Sequence, residues 1–417
     1  MKNNIVISKY IPYILNMKTD SKKSIFDTDV EIELTNIIDY PKCSYGFHHY
    51  IHSLKKDTEV LKQFENKKKV YLVTNNFEIN IDNYDKSISN ETHKFLNLKD
   101  KMPQIISLDF YKLWEILFMF EIFDNDIPLK TCTLDDDGTS IQSVLLFREK
   151  YAKNYKNDEY NILKNEKIDD NFFNYYNKTH NIKKNDKITE KIDLIISGVN
   201  FNYENENIIE QMYYTTLFKN LLEIIKIQKK NGVSIIKIFE TFTNISIKFI
   251  SILSTLYEKI FIIKPLTSRT SVSEKFIICI GFKYTDKDKE YMNINKKINE
   301  INETLTKHPK MKLCDIFKSY NIDNQLKTRF IKLNILITNN LFKAIGENVN
   351  FVNGQNYYGD KYQQYREEQI AANNYWVETF LPEPSNFKET KKKIVENSIT
   401  ANKINMDDTI RLEKILE

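Results

Sequence analysis

Two side chains in the middle of this chain fall where a buried sheet must account for them. Lys237 lies toward the end of the β-branched run VSIIKIFE, and Glu274 ends the short polar stretch after IFIIK, so an ammonium and a carboxylate come to strand edges. A buried strand-end lysine without partners is a structural defect, so Lys237 is either a working cation or a side chain snorkelling to the surface. Lys112 is a third candidate. It lies in FYKLWEI, Phe110 to Ile116, which reads equally as an amphipathic helix with its lysine in solvent. GFHHYIHSLKK holds His48, His49 and His52, and His48 and His52 stand one helical turn apart, the spacing of a two-histidine metal site. No acid separates them and their neighbours are aromatic, which favours a packing face with polar tips and no metal. The same rings also suit stacking on splayed RNA bases.

The elements that must position these groups are readable. DLIIS (193–197) is a short apolar run, 206–229 carries apolar residues at helical spacing, and Gly232 is expected to end that helix. VSIIKIFE (233–240) is a second strand, 245–259 a second helix, and IFIIK (260–264) a third strand closed by Pro265. The last strand is KFIICIGFKY (275–284). Strand and helix alternate, which argues for a parallel sheet with helices on its faces. The ten residues between the last two strands are too few for a crossover helix and imply a hairpin. LKTCTL, DLIIS, VSIIKI and IFIIK are thus expected as parallel neighbours, with KFIICIGF antiparallel beside IFIIK.

Gly232 and Lys237, followed by the K-P-x-x-S-R-x-x-x-S-E string of Lys264, Pro265, Ser268, Arg269, Ser273 and Glu274, resemble the FtsJ-like ribose 2′-O-methyltransferases, in the divergent form of large cytoplasmic DNA viruses. FYKLWEI resembles the family's first catalytic-lysine helix and places Lys112 there. The resemblance implies an α/β, Rossmann-like methyltransferase sheet, mostly parallel with one antiparallel strand near its C-terminal edge. It also implies an RNA substrate and S-adenosylmethionine as cofactor. In this family two lysines and two acids surround the ribose hydroxyl. Lys237 would steer or deprotonate the hydroxyl, Lys112 would hold down the pKa of Lys237, and Glu274 would orient it. RNA contacts are implied for Lys264, Ser268 and Arg269.

Two positions depart from the family pattern. The fourth-strand aspartate should fall at Ser197 or Gly198, where the chain reads LIISGVNF and supplies no carboxylate. The glycine-rich cofactor turn after KTCTL reads DDDGTSIQ. Asp135, Asp136 and Gly138 are its candidate cofactor residues, one acid for the cofactor's ammonium. Three consecutive aspartates more often make a solvated turn or helix cap. Two functions stay open on these residues: an RNA 2′-O-methyltransferase acting on the first nucleotides of capped viral mRNA, or a catalytically weakened homologue binding RNA within a capping or transcription complex.

The chain has 417 residues, enough for a large core and several domains. Its formal charge of +4 is a weak pointer to nucleic acid. Cys43, Cys132, Cys279 and Cys314 lie far apart without paired spacing, against a zinc cluster and in keeping with a reducing, cytoplasmic setting. No long uncharged run suggests a membrane span. The expected organisation is an α/β extension over 1–100, the methyltransferase domain over 101–285, a helical extension over 286–383 and a charged, mobile tail over 384–417. Tyr45 to Phe64 reads as a helix and Val70 to Thr74 as a strand. YREEQIAANNYWVETF reads as a helix stopped by Pro382, with Gln369 and Trp376 as packing anchors.

Overall fold

The β-branched runs assemble into one eight-stranded sheet in a computed structural model, which describes residues 10, 12–18, 23–37, 43–99, 102–120, 126–163, 168–198 and 208–394. Five parallel strands come first across the sheet: β5 (Asn181–Asn185), β4 (Glu159–Leu163), β3 (Lys130–Leu134), β6 (Ile192–Ser197) and β7 (Gln228–Ile238). Then follow β9 (Lys275–Phe282), β8 (Tyr257–Lys264) and β1 (Tyr13–Asn16), each antiparallel to its neighbour. This is a mixed α/β, Rossmann-like sheet.

Two details correct the expected order. IFIIK does not touch VSIIKI, because β9 inserts between them and pairs antiparallel with both. Its apolar run is buried on nearly every residue, and taking both edges as partners satisfies its backbone where no water reaches. The sheet also has a second antiparallel strand, since β1 closes the edge beside β8.

Alternate strand residues feed two cores. Ile236 and Ile238 of β7 face one side with α6 (Ile209–Ile227), α7 (Asn244–Leu256), α8 (Lys289–Lys307) and the first half of α9 (Asn324–Asn353). Val233 and Ile235 face the other, with α2 (Ile88–Phe95), α3 (Asp109–Met119), α4 (Thr139–Tyr151), α5 (Asp170–Tyr176) and α10 (Asp360–Phe380). β2 (Ile32–Thr35) pairs with β10 (Lys312–Ile316), tying the N-terminal segment to the C-terminal one. No helix among the described residues is long and apolar enough to cross a membrane.

Other expectations shift locally. α6 ends at Ile227, and Gly232 lies inside β7, where the register slips between its pairings with Ile192 and Leu194. A Cβ there would come 2.1 Å from Gln228 Nε2, so the glycine serves the bulge and not a helix end. Val70–Thr74 is a 3₁₀ helix, because Val73 packs on Phe351 and Val352 of α9 and finds no sheet edge. The helix from Tyr45 is α1 (Tyr45–Lys55), continued as a 3₁₀ segment to Phe64. Of the tail, residues through 394 are ordered against the core through Phe387 and Ile394; 395–417 lie outside the described residues.

Candidate active site

The carboxyl end of β7 brings four charged side chains from three elements together. Lys237 is the penultimate residue of β7, and Glu274 immediately precedes β9, whose pairing sets Lys237 opposite Phe276. Asp109 and Lys112 come from the first turn of α3, and a three-residue helical spacing puts both on one face. Lys237 Nζ lies 2.8 Å from Glu274 Oε1 and 2.6 Å from Asp109 Oδ2. Lys112 Nζ lies 2.5 Å from Glu274 Oε2 and 2.6 Å from Asp109 Oδ1. Each ammonium bridges both carboxylates. The ring is closed and formally neutral.

Burial makes this arrangement consequential. The side chains of Lys112, Lys237 and Glu274 are 11%, 13% and 5% exposed, and Asp109, at 29%, is the most open. Burial alone pushes the Lys237 ammonium down, but Glu274 and Asp109 together outweigh it and leave Lys237 above the usual lysine value. Glu274 and Asp109 are likewise disfavoured by burial, yet the two ammonium groups hold both below the usual carboxylate range. This corrects the sequence-based expectation that a second cation lowers Lys237: two anions lie closer and win.

Rigid supports hold the ring. Glu115, one helical turn after Lys112, is fully buried and accepts from Leu266 N (2.7 Å), Thr267 N (2.9 Å), Thr267 Oγ1 (2.5 Å) and Trp376 Nε1 (3.0 Å). It thereby clamps α3 to the loop after β8 and to α10. Trp376 is fully buried, and Gln369 donates to Leu72 O and Asn75 O, so both anchor α10 as the sequence suggested. Ser268 Oγ donates to Glu274 Oε2 at 3.2 Å, and Lys264 Nζ to Ser268 Oγ, Val272 O and Glu274 O. Burial pushes Lys264 down to about 7. Arg269 grips Glu78 through two nitrogens, at 3.0 and 2.8 Å. Of the three residues expected on RNA, Lys264 and Ser268 bond within the protein and steady Glu274, while Arg269 holds Glu78 through Nε and Nη2 with its side chain 30% exposed.

The carboxylate expected at the end of β6 is supplied from α3. Ser197 Oγ accepts from Asn220 Nδ2, whose other bond goes to Asp135 Oδ2, so Ser197 belongs to a neighbouring polar group. A Cβ on Gly198 would lie 2.6 Å from the Asp135 carbonyl oxygen, which leaves no room for a side chain there. Asp109 was missed because it lies 88 positions before Ser197 in sequence. Its signal was local: an acid at the first helical position, three residues before a candidate lysine.

The cofactor candidates divide. Asp136 is half-buried and accepts from Gly138 N, Ser140 N (both 3.0 Å) and Ser140 Oγ (2.9 Å), while Asp137 accepts from Thr139 N. The amides that open α4 are therefore taken by the chain's own acids. Burial first, then Asp137, pushes the Asp136 carboxyl up to about 7. Gly138 has φ +98°, and a Cβ there would press on Ile168 and Phe172, so it serves packing. Asp135, at φ +52°, extends from the end of β3 and meets Asn220. This donor set fits the ammonium of an amino-acid cofactor at Asp135; it does not offer the α4 terminus to a carboxylate.

The fold and this ring define an α/β protein with two lysines and two carboxylates joined at a strand end. Residues 153–282 match the model of the FtsJ-like methyltransferases, a stretch that holds Lys237 and Glu274 and leaves out Asp109 and Lys112. The chain is 27% identical over 148 residues to a cap-specific mRNA (nucleoside-2′-O-)-methyltransferase 1 of Drosophila melanogaster, covering 35% of this chain and 18% of the relative. It is 30% identical over 95 residues to the Trypanosoma cruzi protein of that name, covering 22% and 26%, and 34% over 98 residues to that of Danio rerio, covering 23% and 12%. The match spans about a quarter or less of each of these relatives. Among solved structures, a ribosomal RNA methyltransferase of Plasmodium falciparum superposes with a TM-score of 0.32 at 16% identity, covering 43% of this chain and 99% of its own.

Proposed function

We propose that this chain is an S-adenosylmethionine-dependent RNA ribose 2′-O-methyltransferase acting on a cap-proximal nucleotide of mRNA. The observation that carries this reading is the closed ring of Lys112, Lys237, Glu274 and Asp109 at the carboxyl edge of the sheet, where open α/β sheets bind their ligands. Its similarity to cap-specific mRNA methyltransferases supports the choice of capped RNA.

The methyl donor supplies an electrophilic methyl group on a sulfonium sulfur. Lys237, held as an ammonium, donates to the ribose hydroxyl oxygen and fixes the direction of its remaining lone pair. Glu274 and Lys112 hold Lys237 in place. Asp109, the most exposed carboxylate of the ring, takes the hydroxyl proton as the oxygen attacks. Positioning supplies most of the rate, since an oriented hydroxyl needs little further activation. Asp135 would hold the donor's ammonium. A second reading has its own observation: Asp136 and Asp137 occupy the amides of α4 that would receive the donor's carboxylate, which favours a weakened homologue that binds RNA for a capping complex.

Transfer of labelled methyl groups from S-adenosylmethionine to capped RNA, compared for wild type and Lys237→Ala, separates the two. Turnover abolished by Lys237→Ala supports the enzyme. No wild-type turnover with RNA binding intact supports the weakened homologue.

A further inference from the structure

The histidine pair of α1 faces an acid that its own sequence neighbourhood lacks. Glu240 follows β7, three residues after Lys237, and its Oε2 lies 3.2 Å from His52 Nε2. The rings of His48 and His52 lie one turn apart, tilted by 57° with centroids 4.3 Å from each other. One donor atom from each of His48, His52 and Glu240 lies within 4.8 Å of the other two. We infer that His48, His52 and Glu240 form a zinc site, independent of the methyl-transfer reading, which staples α1 to the end of the strand that carries Lys237.

Donor chemistry and spacing agree with that ion. Two imidazoles and a carboxylate with an open fourth position are a zinc donor set, and bonds of about 2.0–2.1 Å place neighbouring donors roughly 3.3 Å apart in a tetrahedron. The His52–Glu240 separation already has that value, and small side-chain rotations bring His48 to it. The cluster is also shielded: the His52 side chain is 9% exposed and Glu240 2%.

The protein alone leaves this cluster unsatisfied. His52 Nδ1 is buried and meets no hydrogen-bond partner among the described residues. With Nε2 bonded to Glu240, either tautomer strands one buried nitrogen, which natural structures avoid. With the proton on Nδ1, the Nε2 lone pair faces the Glu240 carboxylate, and a cation held between Nε2 and Oε2 is the partner that both then share. Glu240 is arranged as a one-oxygen ligand, because Lys55 Nζ takes its other oxygen, Oε1, at 3.2 Å. Orienting the non-ligating oxygen in this way is the usual service of a group behind a metal ligand. Lys55 also compensates the carboxylate when no ion is bound, so the fold does not need the metal to form.

Zinc titration of the chelator-treated full chain tests this, with bound metal counted per chain and cobalt substituted to read coordination from its visible absorption. Wild type and His49→Ala, whose exposed histidine lies on the same helix, should bind one equivalent, and cobalt should show the intense bands of a four-coordinate site. His48→Ala and Glu240→Gln should bind at least tenfold more weakly and lose those bands. The melting temperature should rise with zinc in wild type and stay unchanged in His48→Ala. If His52→Ala fails to fold, His48→Ala and Glu240→Gln still decide the question. Less than half an equivalent in folded wild type, or equal binding by His48→Ala, overturns the site.

Discussion

Asp109, the first residue of α3, and Lys237, at the end of β7, stand 128 positions apart and meet at 2.6 Å, Oδ2 to Nζ. Their contact supplies the second carboxylate of the site from a helix, where the adjoining strand end offers Ser197 and a glycine. It also sets the charge of Lys237. Asp109→Asn keeps the shape and removes one of two anions, so Lys237 loses part of what offsets its burial. The expected result is a methyl-transfer rate lower by roughly 10²-fold with KM little changed. The alkaline limb of the pH–rate profile should move to lower pH, because the folded-state value of Lys237 falls toward that of an unpaired buried lysine. An unchanged profile would remove Asp109 from the proposed chemistry.

Restoring an acid at the strand end should not help. Ser197 is buried in a group with Asn220 and Asp135, and a carboxylate there faces Asp135 without a cation. At Gly198 a side chain meets the Asp135 carbonyl at 2.6 Å. Ser197→Asp and Gly198→Asp should each lower stability by about 2–4 kcal/mol, measured by denaturant unfolding, with no gain in methyl transfer. A variant as stable as wild type and more active would show that the strand-end position is still usable.

The parts of this molecule that were legible in sequence are those written in contiguous residues. IFIIK, its hairpin and KFIICIGF could be read as paired strands because ten intervening residues permit little else. Lys237 and Glu274 could be read as strand-edge charges for the same reason. Strand order was not legible, since β9 enters between β7 and β8 through edge pairing, which leaves no local mark. The partners of the site were hidden likewise. Asp109 joins Lys237 only through the docking of α3, and Glu240 meets His52 across 188 positions. The aspartate-rich turn carried its cap role openly, yet only coordinates show Asp136 bonded to the amides of Gly138 and Ser140.

The clamp at Glu115 should matter to both stability and rate. Its carboxylate receives four bonds, from the loop after β8 and from Trp376 of α10, and α3 carries Asp109 and Lys112 on the same helix. Glu115→Gln turns one acceptor oxygen into a donor that faces other donors. Unfolding should show a loss of about 1–3 kcal/mol, and methyl transfer should fall even where the variant remains folded. Trp376→Phe should cost less, because only one of the four bonds disappears. Equal stability of Glu115→Gln and wild type would mean the loop and α10 are held by other contacts.

Asp136 makes stability depend on pH in a stated direction. Burial, with Asp137 adding to it, raises its carboxyl from 3.8 to about 7 in the folded chain. Between those values the folded state keeps a proton that the unfolded state has released. Its contribution to stability therefore declines as pH rises from about 4 to about 7, by up to roughly 1.4 kcal/mol per pH unit, and levels off above. Asp136→Asn lacks this titration, though it also alters the cap of α4. Wild type should thus lose stability relative to Asp136→Asn between pH 5 and pH 7.5, read as the difference in unfolding free energy at each pH. A difference that stays constant across that window would show that Asp136 is ionised throughout, and that the opening turn of α4 tolerates its negative charge.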